Sequence, residues 1–130
     1  MREILFRGKR TDNGDWHEGE DIMRNTIRGK VCLAKIGEDW ISVDPETICQ
    51  FTGLYDKNGK KIFEGDIVKI PLYESIHEQV IAVVAWDIRK AVFYLHGKRV
   101  KTDFYHYFGD DCEVIGNIHD KKLEDFENGC

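Results

Sequence analysis

The sequence predicts a mainly β protein, and three observations carry that prediction. Turn residues recur at short intervals: Asn13-Gly14, Gly29, Gly37, Asn58-Gly59, Gly65-Asp66, Gly97 and Gly109. Between them lie short runs rich in Val, Ile, Tyr, Phe and Trp, as β-strands require. No long stretch keeps a helical period.

Each element follows from local chemistry. "FRGKRTDNGDWHEGEDI" (6–22) and "FTGLYDKNGKKIFEGDI" (51–67) share a skeleton of Phe, Gly, Asn-Gly and a closing Asp-Ile. Both central residues of a type I′ turn need positive φ, which Asn-Gly tolerates, so each unit reads as a β-hairpin. Duplication and shared turn grammar explain the likeness equally well. Pro45 suits the first position of a single helical turn. In "IVKI" Val68 and Ile70 share one face and Lys69 takes the other. "QVIAVVAW" (79–86) reads as a strand covered on both faces. "AVFYL", "DFYHYF" and "EVIGNI" follow as further strands, and the tail from 121 has the Leu123 and Phe126 spacing of a short C-terminal helix. A Gly-Asp turn feeding a strand, with four or five more strands after it, predicts an SH3-like small barrel. The expected organisation is an N-terminal β-hairpin region (1–50), the SH3-like β-barrel (51–120) and a tail (121–130).

Composition narrows the function classes. The chain has 130 residues, 42% hydrophobic and 33% charged, which suits a soluble globular protein of one compact unit or of one domain with a small appendage. No apolar run fits a signal peptide or a membrane span, so no membrane role and a cytoplasmic setting are expected. The four cysteines and five histidines are scattered without zinc spacing, so reduced thiols, no metal and no cofactor are expected. A net charge of −5 opposes generic DNA binding.

Each candidate site has a plainer reading beside the functional one. "DKNG" fails as a calcium loop, because with Gly59 sixth, Leu54 would fall at the first ligand position. Gly53, Gly59 and Gly65 lack a phosphate-loop frame. Glu64 and Asp66 read as a solvated turn rather than an acid–base pair, with Asp66 bonding local amides. Cys49 or Cys112 with His106 has no nucleophile spacing, so buried thiols are preferred. Trp16, Trp40 and Trp86 read as core or barrel-rim residues. The nucleic-acid candidate is 89–101, where Arg89, Lys90, Lys98, Arg99 and Lys101 bracket a hairpin and Tyr94 could stack a base. A solvated face that blunts an edge strand is the preferred alternative. In "FYHYF", Tyr105 and Tyr107 share one face, which reads equally well as a candidate interface or as ordinary edge-strand packing.

"FRGK" with "NGDWHEG", then "PETICQFTGLYDKNGKKIFEGDIV", then "EVIGNIHD", resemble the YopX-like phage and prophage proteins. The resemblance spans about Ile4 to Asp120 and supplies no catalytic residues. It implies a host-cell cytoplasmic setting and a β domain that self-associates. The expected role is a non-enzymatic phage accessory protein, an interaction or assembly module forming a homo-oligomer or meeting a phage or host protein. An RNA- or DNA-binding barrel using 89–101 ranks second, and an enzyme third.

Overall fold

A computed structural model describes residues 4–25, 29–72, 75–98, 100–104 and 111–120. The protein is mainly β, built from antiparallel sheets. It divides into two compact units, Met1–Phe51 and Thr52–Cys130.

In the first unit, β1 (Phe6–Lys9) and β2 (Trp16–Gly19) form a hairpin. β3 (Asp21–Asn25), β4 (Lys30–Ala34) and β5 (Ile41–Val43) form a three-stranded sheet, which goes beyond the hairpin region that the sequence predicts. Val31, Leu33 and Val43 form a buried cluster in it, with Phe6 and Ile48 packed on them. Two glycines permit close backbone approach here. A Cβ on Gly19 would lie 2.7 Å from the backbone of Ala34, and one on Gly8 would lie 3.1 Å from Val43 Cβ. Pro45–Thr47 forms a single 3₁₀ turn, capped by the Asp44 side chain accepting from the Glu46 N–H.

β6 (Cys49–Tyr55) runs through the division point. Its start pairs with β1 in the first unit, and its second half faces β7 (Lys61–Phe63) in the second unit. Five further strands form one sheet: β8 (Asp66–Leu72), β9 (Ser75–Asp87), β10 (Val92–His96), β11 (Lys101–Asp103) and β12 (Glu113–Asn117). Their order is β11-β10-β9-β8-β12. Val68, Ile70, Val80, Ala82, Val84, Phe93 and Leu95 alternate along β8, β9 and β10 and fill the core. The full burial of "QVIAVVAW" needs correcting: Ile81, Val83 and Ala85 are only half-buried, and Trp86 is exposed. One face of β9 meets the core and the other lies against less cover.

Among the described residues no sheet closes into a barrel. β11 and β12 stand at opposite edges of the five-stranded sheet, with no ladder joining them. The turn chemistry also differs from the type I′ expectation. In the second hairpin the Gly59 N–H donates to the Asp56 carbonyl, the Asp56 N–H donates to the Lys60 carbonyl, and only Gly59 takes positive φ (80°). That is a type I turn followed by a left-handed glycine, a three-residue loop. The first hairpin has a longer loop: the Arg10 N–H donates to the Asp15 carbonyl, the Gly14 N–H to the Arg10 carbonyl, and Gly14 sits at φ 77°. The two hairpins share turn residues and not turn geometry. The C-terminal helix expectation falls outside the described residues.

Candidate functional site

The basic segment 89–101 folds as the β9–β10 turn, β10 and the approach to β11. Cross-strand register decides what shares a face: Tyr94 stands opposite Asp103 and Ala85, and His96 opposite Lys101. Asp87, Lys90, Tyr94, Lys101, Thr102 and Asp103 line a concavity of about 360 Å³. The turn into it is fixed by Asp87, whose Oδ1 accepts from the Arg89 and Lys90 N–H groups at 2.9 and 3.2 Å. Ala91 follows in the left-handed region at φ 54°, unusual for a residue with a Cβ.

Three of the predicted cations and aromatics therefore converge, namely Lys90, Tyr94 and Lys101. Arg89 and Lys98 are exposed and do not line the concavity. Arg99 lies outside the described residues, as do Tyr105, Tyr107 and His106. The sequence reading missed Asp87, Thr102 and Asp103. Asp87 and Asp103 bound the acid-free stretch in sequence, and the hairpin brings both back beside Tyr94. Lys90 Nζ sits 3.8 Å from Asp103 Oδ1. The lining thus carries two lysines against two carboxylates, which removes the cationic excess that a phosphate track needs. The Tyr94 ring meets His96 edge-on, with centroids 6.4 Å apart.

The carboxylates of "DKNG" and "EGD" are committed elsewhere. Asp56 is 5% exposed, and Oδ1 accepts from the Asn58 and Lys60 N–H groups, each at 2.9 Å. Its Oδ2 accepts from the Val114 N–H of β12, also at 2.9 Å. Burial pulls this carboxyl upward, but the Val114, Lys60 and Asn58 N–H groups outweigh it and hold the pKa below the usual carboxylate value. Nearby, Lys57 Nζ pairs with Glu113 at 3.1 Å, and the Lys57 N–H donates to the Cys112 carbonyl.

Asp66 corrects the solvated-turn reading, because it is fully buried. It does accept a local amide, the Phe63 N–H at 2.7 Å, and it also accepts from Asn117 Nδ2 of β12 at 3.0 Å. Asn117 Oδ1 in turn accepts from the His119 N–H. Hydrogen bonding from a distant strand is what makes burial of the carboxylate tolerable. Both motif carboxylates therefore hold β12, one near each end.

The remaining candidates are soon placed. Cys49 and Cys112 are buried and Cys32 half-buried, each outside any disulfide, and the Cys49 thiol donates to the Thr47 carbonyl at 3.2 Å. Burial, with the Asp111 and Asp56 carboxylates, pushes the Cys112 thiol up to about 12, so it is no thiolate nucleophile at neutral pH. No cluster among the described residues has the His, Cys, Asp or Glu donors to hold a metal ion. No described helix is long and apolar enough to cross a membrane. Trp40 and Trp86 are exposed rather than core residues. Trp16 is half-buried with the Arg7 guanidinium 4.4 Å from its ring centroid, a cation–π contact.

The family model of the YopX protein matches residues 5–123. The chain belongs to the YopX family. The match covers both motif turns and β12, the parts that Asp56 and Asp66 join. A solved structure, the crystal structure of protein EF1440 from Enterococcus faecalis, is similar with a TM-score of 0.51 and 23% identity. That likeness covers 97% of this chain and 99% of the other, and concerns the fold alone. No curated protein matches the chain.

Proposed function

We propose that this YopX-family chain is a phage or prophage accessory protein of the host cytoplasm, acting as a non-enzymatic interaction and assembly module. The observation that supports this reading is the fate of the motif carboxylates. Asp56 and Asp66 are buried against backbone and Asn117 donors, so the most distinctive motif of the chain serves architecture rather than acid–base chemistry. The second unit is, in this reading, an SH3-like small barrel in topology. Its order β11-β10-β9-β8-β12 is a meander whose last strand returns beside its first, the connectivity such a barrel needs. Homo-oligomerisation is part of the proposal.

The test is the native mass by light scattering at micromolar concentration. A mass above the 15.2 kDa of one chain is expected. A strictly monomeric protein that captures no phage or host protein would end the reading.

One observation favours a second reading, nucleic-acid binding at 89–101: Lys90, Tyr94 and Lys101 line one concavity. Stacking on Tyr94 with lysines along a backbone is a single-strand binding arrangement. Asp87 and Asp103 in the same lining place it second. Fluorescence anisotropy with oligonucleotides at low salt separates the two. Sub-micromolar binding that disappears when Lys98, Arg99 and Lys101 become glutamine would reverse the ranking.

A further inference from the structure

β3 is an edge strand with an unusual surface. It pairs with β4 alone among the described residues, in an unbroken register from Asp21↔Ala34 to Asn25↔Lys30. Asp21, Ile22, Met23 and Arg24 are all exposed, with Ile22 at 39% and Met23 at 43%. This exposed strand presents one apolar residue on each face, Ile22 and Met23, and has no proline or bulge, so its charges at Asp21 and Arg24 are what guard the edge.

We infer that β3 pairs antiparallel with β3 of a second copy, in the register centred on Ile22. The inference rests on the assembly reading above and names its interface. A two-fold axis perpendicular to a sheet keeps each side chain on its own face, so the residue at the axis must face its own copy. With Ile22 at the axis, Glu20 of each chain stands opposite Arg24 of the other, twice, on the face that Ile22 shares. The segment Glu20-Asp21-Ile22-Met23-Arg24 is thus self-complementary in charge about its apolar centre. Centring on Met23 instead would set Ile22 against Arg24 and leave Glu20 without a cationic partner. In the single chain Glu20 stands just before β3, its Oε2 accepting from the Ile36 N–H beyond the end of β4 at 3.2 Å. A second acceptor oxygen remains on the carboxylate for a cross-strand arginine.

A charge-swap experiment on the full chain tests the pairing. Arg24→Glu places Glu20 opposite a glutamate at both sites, and Glu20→Arg places arginine opposite arginine. Each single variant is expected to dissociate at least about tenfold more readily than wild type at low ionic strength, with its far-UV circular dichroism unchanged. Mixing the two variants restores opposite charges at both sites, so a mixed dimer should form at close to wild-type affinity. Light scattering on the separate and mixed samples reads all of this. Wild-type self-association that neither variant weakens would overturn the β3 interface while leaving the assembly reading in place. Weakening without recovery on mixing would overturn the Ile22-centred register. A monomeric wild type at hundred-micromolar concentration would overturn the inference and the self-association it rests on together.

Discussion

The two Asn-Gly hairpins invite comparison because their sequences are so alike and their anchoring so different. In the first, the loop 10–15 faces solvent: Asn13 Oδ1 accepts from the Asp15 N–H, and Arg10 pairs with Asp12 at 2.7 Å on the surface. In the second, Asp56 sits at the head of the loop and is buried, accepting three backbone N–H groups. One of these donors, Val114, is 58 residues away. At the corresponding place in the first hairpin stands Thr11, exposed, with its N–H donating to the Ser42 carbonyl. Equal turn grammar therefore does not mean equal structural weight. The first turn is tied to β5 through exposed groups of Thr11, whereas the second positions β12 through a buried carboxylate.

The largest expected effect is at Asp56. Replacing it with alanine strands the Val114, Asn58 and Lys60 donors, each of which loses a charge-assisted bond of about 1.5–3 kcal/mol. A loss of about 3–5 kcal/mol in denaturant unfolding is expected, since water recovers part of the donors' needs. The effect depends on pH in a defined direction. The folded pKa of Asp56 lies below its unfolded value, so its contribution is fully present above the unfolded pKa, near 3.9. It is lost as pH falls through the folded pKa, and the gap between wild type and Asp56→Asn should narrow in acid. A gap that held constant from neutral pH to pH 2 would break the comparison.

The glycines should show where the hairpins are alike. Neither Gly14 nor Gly59 has a heavy atom within 4 Å of a built Cβ, so only the positive φ resists substitution. Gly14→Val and Gly59→Val should each cost about 1–2 kcal/mol, by similar amounts. Unchanged denaturant midpoints in both would remove the left-handed assignment.

How much of this was legible in the sequence depends on how far apart the interacting residues lie. Strand alternation and Gly-Asp turns are local signals, so Val68 and Ile70 facing the core and the 3₁₀ turn at Pro45 could be read directly. Asp66 looked solvated because a turn carboxylate usually is, and its Asn117 partner is 51 residues on. The same limit hid Asp87 and Asp103 beside Tyr94, since strand register rather than spacing brings them there. The turn type was missed for a different reason: Asn-Gly fits several loops, and Asp56 selected a type I turn with a left-handed glycine.

The smallest effect belongs to the first loop's ion pair. Asp12 is drawn down by its hydrogen bond from Arg10 against an opposing desolvation, and both groups are solvated. Asp12→Ala should leave the unfolding midpoint where it is, as exposed pairs generally contribute little. A clear drop would mean that the first loop carries weight the comparison denies it.

Native-state hydrogen exchange at the Val114 amide tests the central claim most directly, because that N–H is where the buried Asp56 carboxylate reaches β12, beside the Lys57–Glu113 pair and the Lys57 bond to the Cys112 carbonyl. In wild type the amide should be strongly protected. In Asp56→Asn, which keeps the side chain's shape but weakens its acceptor, protection at Val114 should fall by at least about tenfold beyond the loss at Val84 in the core. Asp12→Ala should leave it unchanged. Equal protection of Val114 in wild type and Asp56→Asn would contradict the account, and β12 would owe its place to something other than the turn.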